Sequence, residues 1–323
     1  MSMISVQDLA KSYGKIEAVK GVSFDVDAGE IFGFLGPNGA GKTTTINMLC
    51  TLVKPGGGAA SVNGHDIVSE KNDVRRSIGL VFQETTLDDY LTAEQNIMFH
   101  AMAYGVPKKV RQERTKALLS LMELWDRRKG HIRTYSGGMK RRLEIARGLI
   151  HLPRVLFLDE PTLGLDPQTR NRIWEYIRDL RRQEELTIFL TTHYMDEAEN
   201  CDRIAVIDHG KIVALDTPDN LKSQVGGDLL TLRTDDIAHA ESELRDRHSL
   251  QPEVRDGAIT VRVPNGESFL PRFVQSYEGG IQSIGLRRPT LDDVFLHLTG
   301  REIRDEEVNE QGQMMQMMRM RYR

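Results

Sequence analysis

The stretch Gly36-Pro37-Asn38-Gly39-Ala40-Gly41-Lys42-Thr43 decides how the rest of the chain is read. It has the form G-x-x-x-x-G-K-T, and its neighbours supply the context that separates a phosphate loop from a chance match. Before it, Ile31-Phe32-Gly33-Phe34-Leu35 is an apolar run short enough for a buried strand. After it, from Thr44 on, Ile46, Leu49 and Val53 recur at a helical spacing. Glycines let the backbone curl until several N–H groups point inward at phosphate oxygens. The helix that follows adds its N-terminal dipole. In such a loop Lys42 reaches the β- and γ-phosphates, and the Thr43 hydroxyl ligates Mg²⁺. An ordinary glycine-rich turn is the competing reading of the motif taken alone.

The whole chain sets outer bounds. Its 323 residues exceed one typical domain, which predicts a large domain plus a smaller one. Hydrophobic residues at 39% and charged ones at 28% suit a soluble globular protein with a sizeable core. A net charge of −4 gives no overall electrostatic case for nucleic acid or anionic lipid. Cys50 and Cys201 show no metal-type spacing, and read as buried apolar groups in a reducing compartment. Met1 to Ala10 lacks the features of a signal peptide. No apolar run approaches the ~20 residues that span a bilayer, so no membrane span is expected.

Ile4 to Leu9 and Val22 to Val26 alternate apolar and polar residues, as half-buried antiparallel strands do. Tyr13 lies in the polar loop between them, where an exposed ring can stack on a base. Ala60 to Asn63 and Ile78 to Phe82 read as further strands, and Gln83 follows directly at a strand end, a place for a metal-binding amide. Leu91 to Tyr104 and Val110 to Leu124 read as helices, broken at Gly105 and Pro107, within a helical insert. Ser136 then caps a helix opened by Gly137 and Gly138, whose N–H groups face an anion. Three cations, Lys140, Arg141 and Arg142, oppose that helix's dipole, which favours an anion-binding role, with a solvated basic face as the competing reading. Val155 to Leu158 is a buried parallel strand delivering Asp159 and Glu160 to the sheet edge. Asp159 is placed to hold the Mg²⁺ shell, and Glu160 to orient or deprotonate a water. A second buried strand, Thr187 to Thr191, leads to His193, a donor toward a γ-phosphate.

Taken together these pieces resemble the nucleotide-binding cassette of ABC transporters, over roughly Ile4 to Thr217. The family's motifs appear in its order: Tyr13, Gly36 to Thr43, Gln83, Ser136-Gly137-Gly138, Asp159-Glu160, Gly164-Leu165-Asp166 and His193. The serine-glycine-glycine signature discriminates, because other phosphate-loop ATPases lack it. The wording Tyr135 to Arg142 and Thr192 to Glu199 is similar to ATPases paired with type-2 ABC permeases, of the daunorubicin-resistance type. The resemblance implies an α/β phosphate-loop cassette: a mostly parallel central sheet, an antiparallel β subdomain and the insert at about 85–150. It implies ATP and Mg²⁺ held by Gly36, Pro37, Asn38, Gly39, Ala40, Gly41, Lys42, Thr43 and Thr44, with Thr43, Gln83 and Asp159 at the metal. Lys42, Gln83, Glu160 and His193 would carry catalysis, and Tyr13 would stack on adenine. Two copies would pair head to tail, Ser136, Gly137 and Gly138 serving the partner's ATP and Asp166 linking the sites. The pair would drive export through a separately encoded permease, at the cytoplasmic face of the membrane.

Beyond residue 220, Leu229 to Leu232, Ile259 to Val263 and Ile281 to Leu286 read as strands, with helices over Ile237 to Arg245 and Phe269 to Tyr277. That pattern predicts a small α/β or α+β accessory domain over 221–300, closed by a helix that Thr290 caps. Residues 301–323, with Met314 to Met320, read as a flexible tail. The rival function is a soluble ABC-type ATPase acting on ribosomes or nucleic acid. Such relatives carry two cassettes or a long inserted coiled coil, and neither pattern nor a basic stripe appears here.

Overall fold

The computed structural model describes residues 2–184, 186–255 and 257–300. Period-two alternation at the start of the chain yields two long strands, β1 (Ser2–Tyr13) and β2 (Ile16–Asp27), which pair antiparallel. Next come β3 (Ile31–Leu35), α1 (Lys42–Leu49), β4 (Gly57–Val62), β5 (His65–Asp66), α2 (Lys71–Ser77) and β6 (Ile78–Val81). One antiparallel sheet runs β2-β1-β4-β5.

The insert holds α3 (Ala93–Ala103), α4 (Lys108–Leu121) and α5 (Gly137–Leu149). Thr92 and Gln95 form a reciprocal cap that starts α3. The chain returns through β7 (Val155–Asp159), α6 (Pro167–Glu184), β8 (Thr187–Thr192), α7 (Met195–Ala198), β9 (Arg203–Asp208) and β10 (Lys211–Asp216). The central sheet runs β10-β9-β3-β8-β7-β6, parallel except for β10. Every residue of β3, β7 and β8 is buried, as strands covered on both faces must be. The Phe189 ring lies 5.5 to 5.9 Å from those of Phe24, Phe32, Phe34 and Phe157. Because Phe24 belongs to β2, this aromatic cluster joins the antiparallel sheet to the central one. Both cysteines are buried free thiols, and burial pushes their pKa values well up.

The chain divides into two compact units between Asp216 and Thr217. The second unit holds α8 (Pro218–Gln224), β11 (Asp228–Thr234), α9 (Ile237–Asp246), β12 (Glu253–Arg255), β13 (Ala258–Val263), α10 (Gly266–Ser276), β14 (Ile281–Arg287) and α11 (Leu291–Thr299). Its antiparallel sheet runs β12-β13-β11-β14, a βαββαβ arrangement. Leu230, Leu232, Ile259, Val261 and Phe273 form its core with Ala240 and Leu244 of α9. The short strand β12 carries no period that sequence alone registers; it exists because Val254 pairs with Ile259. The expected tail lies outside the described residues. No helix among the described residues is long and apolar enough to cross a membrane.

Candidate active site

Four adjacent strands, β3, β8, β7 and β6, run parallel, so their C-terminal ends meet at one edge. The register is close: Leu35 lies opposite Thr192, Asp159 opposite Thr191, and Val81 opposite Leu158. One step further along each strand stand the phosphate loop, His193, Glu160 and, after Phe82, Gln83. The sheet thereby gathers residues that are far apart in the chain.

Gly41 takes φ 108°, and a Cβ there would stand 2.5 Å from the Ala18 carbonyl oxygen, so only glycine fits. Lys42 is buried and donates to the carbonyls of Gly36 at 2.7 Å and Pro37 at 3.1 Å. Its Nζ also lies 3.4 Å from Glu160 Oε1. His193 Nδ1 approaches the same oxygen at 3.3 Å, and Gln83 Nε2 donates to Glu160 Oε2 at 3.3 Å. Glu160 takes φ 46°, a region that costs a non-glycine residue and that persists only where its surroundings enforce it. Burial works to raise the Glu160 carboxyl, but the His193 contact and the Lys42 charge prevail and hold it below its usual range. Burial lowers the Lys42 ammonium despite Glu160. It raises the Asp159 carboxyl, against hydrogen bonds from Thr191 and Thr43. Those two hydroxyls reach Asp159 Oδ1 at 2.5 Å and 3.3 Å.

Ser136, Gly137, Gly138 and Asp166 form a second group. The Ser136 hydroxyl accepts from Met139 N, capping α5. A Cβ on Gly138 would stand 2.4 Å from Thr169 Cγ2, and one on Gly137 3.5 Å from Leu165. Asp166 holds Thr169 through the amide at 3.0 Å and the hydroxyl at 2.7 Å, which lowers its carboxyl pKa. The signature therefore packs against the Asp166 turn rather than on the phosphate loop. Tyr13 stands exposed at the β1–β2 turn, with Lys11 Nζ 5.3 Å from its ring centroid. Within the loop Asn38 and Gly39 are exposed, while Gly36 and Ala40 are buried and Pro37 and Thr44 half-buried.

One expectation is corrected. Lys140, Arg141 and Arg142 do not offer free cations to an anion. Lys140 pairs with Asp89 at 2.8 Å, Arg142 donates to the Met122 carbonyl, and Arg141 is buried. Sequence reasoning also missed Thr191 as a site residue. A hydroxyl on a wholly buried strand must find a partner, and that signal could have pointed to it.

Residues 19–163 match the family model described as ABC transporter. The chain is 40% identical over 318 residues to the daunorubicin/doxorubicin resistance ATP-binding protein DrrA of Streptomyces peucetius, covering 95% of each. It is 37% identical to the linearmycin resistance ATP-binding protein LnrL of Bacillus subtilis strain 168, over 94% of this chain and 100% of that one. A solved dimeric ATP-binding cassette, in a post-hydrolysis state with ADP and Pi, matches with TM-score 0.61 at 27% identity, over 67% of this chain and 98% of that one. With strand order, carboxylate pair and signature in place, the chain belongs to the ABC transporter family, as an ATP-hydrolysing subunit similar to those of drug-resistance transporters.

Proposed function

We propose that this chain powers export by pairing head to tail with a second copy, beneath separately encoded type-2 permease subunits at the cytoplasmic face of the membrane. The observation that carries the reading is the convergence of Lys42, Gln83 and His193 on the one carboxylate of Glu160, at the mouth of the phosphate loop. Loop N–H groups and Lys42 bind the phosphates, and Tyr13 stacks on the base. Thr43, Gln83 and Asp159 offer the hard oxygen donors that Mg²⁺ takes. The cation fits, because a buried carboxylate pushed toward its neutral form, Asp159, gains a counter-charge. Bound there, Mg²⁺ neutralises phosphate charge. Glu160, ionised at neutral pH, accepts a hydrogen bond from the attacking water and aims it, and His193 faces the transferred phosphoryl group. Catalysis is positioning and charge stabilisation.

The second copy is argued from the separation of the two groups. Ser136 and Gly137 are exposed, and a partner's phosphate loop supplies what this chain does not place against them. The solved cassette that this chain resembles is itself dimeric, which supports a second copy. Relatives named for resistance to daunorubicin and linearmycin, and for Nod factor export, support the direction of transport.

Glu160→Gln keeps shape and removes the base. ATP binding is expected to persist, turnover to fall at least about a hundredfold, and ATP to trap a dimer visible by size-exclusion chromatography. Undiminished turnover removes Glu160 from the catalytic role. The same variant, used as bait on solubilised membranes, is expected to recover an integral-membrane permease. Ribosomes or nucleic acid without any membrane protein would transfer the chain to the soluble class.

A further inference from the structure

Arg141 sits one turn inside α5, and only 7% of it is exposed. Its Nε donates to the Pro161 carbonyl at 2.6 Å, and Nη2 to those of Asp159 at 2.9 Å and Glu160 at 3.0 Å. Its Nη1 donates to the Phe82 carbonyl at 2.5 Å and to Glu144 Oε2 at 3.3 Å. A guanidinium has five N–H donors, and here five oxygens receive them. Four of those oxygens are backbone carbonyls at or just past the C-terminal ends of β6 and β7. Glu144, itself 1% exposed, accepts from the Thr86 amide at 2.8 Å and its hydroxyl at 3.3 Å. Arg147 adds a bond to the Thr86 carbonyl at 2.8 Å. Three charged side chains at i, i+3 and i+6 therefore face one side, gripping the loop that follows Gln83.

We propose that Arg141, braced by Glu144, is a positioning residue that holds the Glu160 carboxylate and the Gln83 loop in one frame with the signature helix. The physical need is local. Glu160 adopts a left-handed φ, and the carbonyls on both sides of that kink hang on the guanidinium. Lysine retains the charge but has three donors from a single point, so it cannot span these acceptors. The proposal rests on Glu160 as the catalytic carboxylate, and the test separates the two.

Arg141→Lys is assayed for turnover, for ATP affinity with a fluorescent nucleotide, and for thermal unfolding. We expect kcat to fall about ten- to hundredfold, because a misplaced catalytic group costs on that order. ATP affinity is expected to change less than about threefold, since the five hydrogen bonds of Arg141 go to Phe82, Glu144 and Asp159 to Pro161 and not to the phosphate loop. Under single-turnover conditions the same substitution should cost less than about threefold in a Glu160→Gln background, because Arg141 acts through that side chain. Turnover within twofold of the native rate overturns the proposal, as does a parallel loss of affinity or a full further loss in the Glu160→Gln background. If Arg141→Lys does not fold, Glu144→Gln replaces it, with the same fall of kcat at constant affinity expected and the same contrary results decisive. A Glu160→Gln chain that keeps its turnover marks failure of the catalytic reading instead.

Discussion

Burial sets the charge states of single side chains around the site, and Glu197 shows the consequence most plainly. It is 1% exposed, and burial raises its carboxyl to about 7, with Thr192 and Arg170 offsetting only part. The folded chain thus holds a proton that an unfolded glutamate releases near its ordinary value of 4.5. Stability therefore falls as pH rises from 4.5 to about 7, and above that the charge costs on the order of 3 kcal/mol. Glu197→Gln removes the ionisable group and nearly keeps the shape. Its melting temperature is expected to exceed that of the native chain by several degrees more at pH 8 than at pH 5. An equal difference at the two values would rule out Glu197 as the cause. Sequence exposed the residues at this scale unevenly. Gln83, Asp159, Glu160 and His193 each end or follow a buried strand, and such positions read as sheet-edge ligands, while Lys42 was legible from the spacing of its glycine loop. Arg141 read as a cation facing an anion, because nothing in its neighbours announces that Phe82 and Asp159 to Pro161 would close over it.

Elements were the most legible scale. Full burial on both faces leaves continuous apolar runs in β3, β7 and β8, and half burial leaves alternation in β1 and β2. Caps were equally plain: Ser136 starts α5 and Thr290 starts α11. At α11 the cap is reciprocal with Asp293, whose carboxylate also takes two bonds from Arg287, which lower its pKa to about 2. Thr290→Ala should cost about 1 kcal/mol of helix stability. Amide hydrogen exchange in the first turn of α11 should accelerate about fivefold, while β3 and β7 stay protected. Unchanged exchange would show that packing of Leu291, Val294 and Phe295 alone holds the helix. Other elements went unread, among them α2, α6, β9 and β10, and β12 is an edge piece whose existence depends on its neighbour.

For the molecule as a whole, the arrangement of two separate groups makes a prediction about pairing. Lys42→Ala disables a phosphate loop, and Ser136→Arg blocks a signature. Each variant alone should be inactive. Mixed in equal amounts they should recover up to about a quarter of native turnover, since random two-fold pairing makes half the dimers mixed, each with one intact composite site. A mixture as inactive as its parents would refute head-to-tail sharing. What the sequence alone determined was the inventory and its order: phosphate loop, glutamine, signature, carboxylate pair and histidine, each on an element readable from local periodicity. Those are short-range matters, decided by backbone sterics, spacing and burial within a few residues. Only tertiary structure decided which of them meet. Strand order β3-β8-β7-β6 brings Lys42, His193, Glu160 and Gln83 to a single edge, and the buried row on α5 ties that edge to Thr86. Hydrogen bonds between distant segments depend on register and packing, which no local pattern of residues encodes.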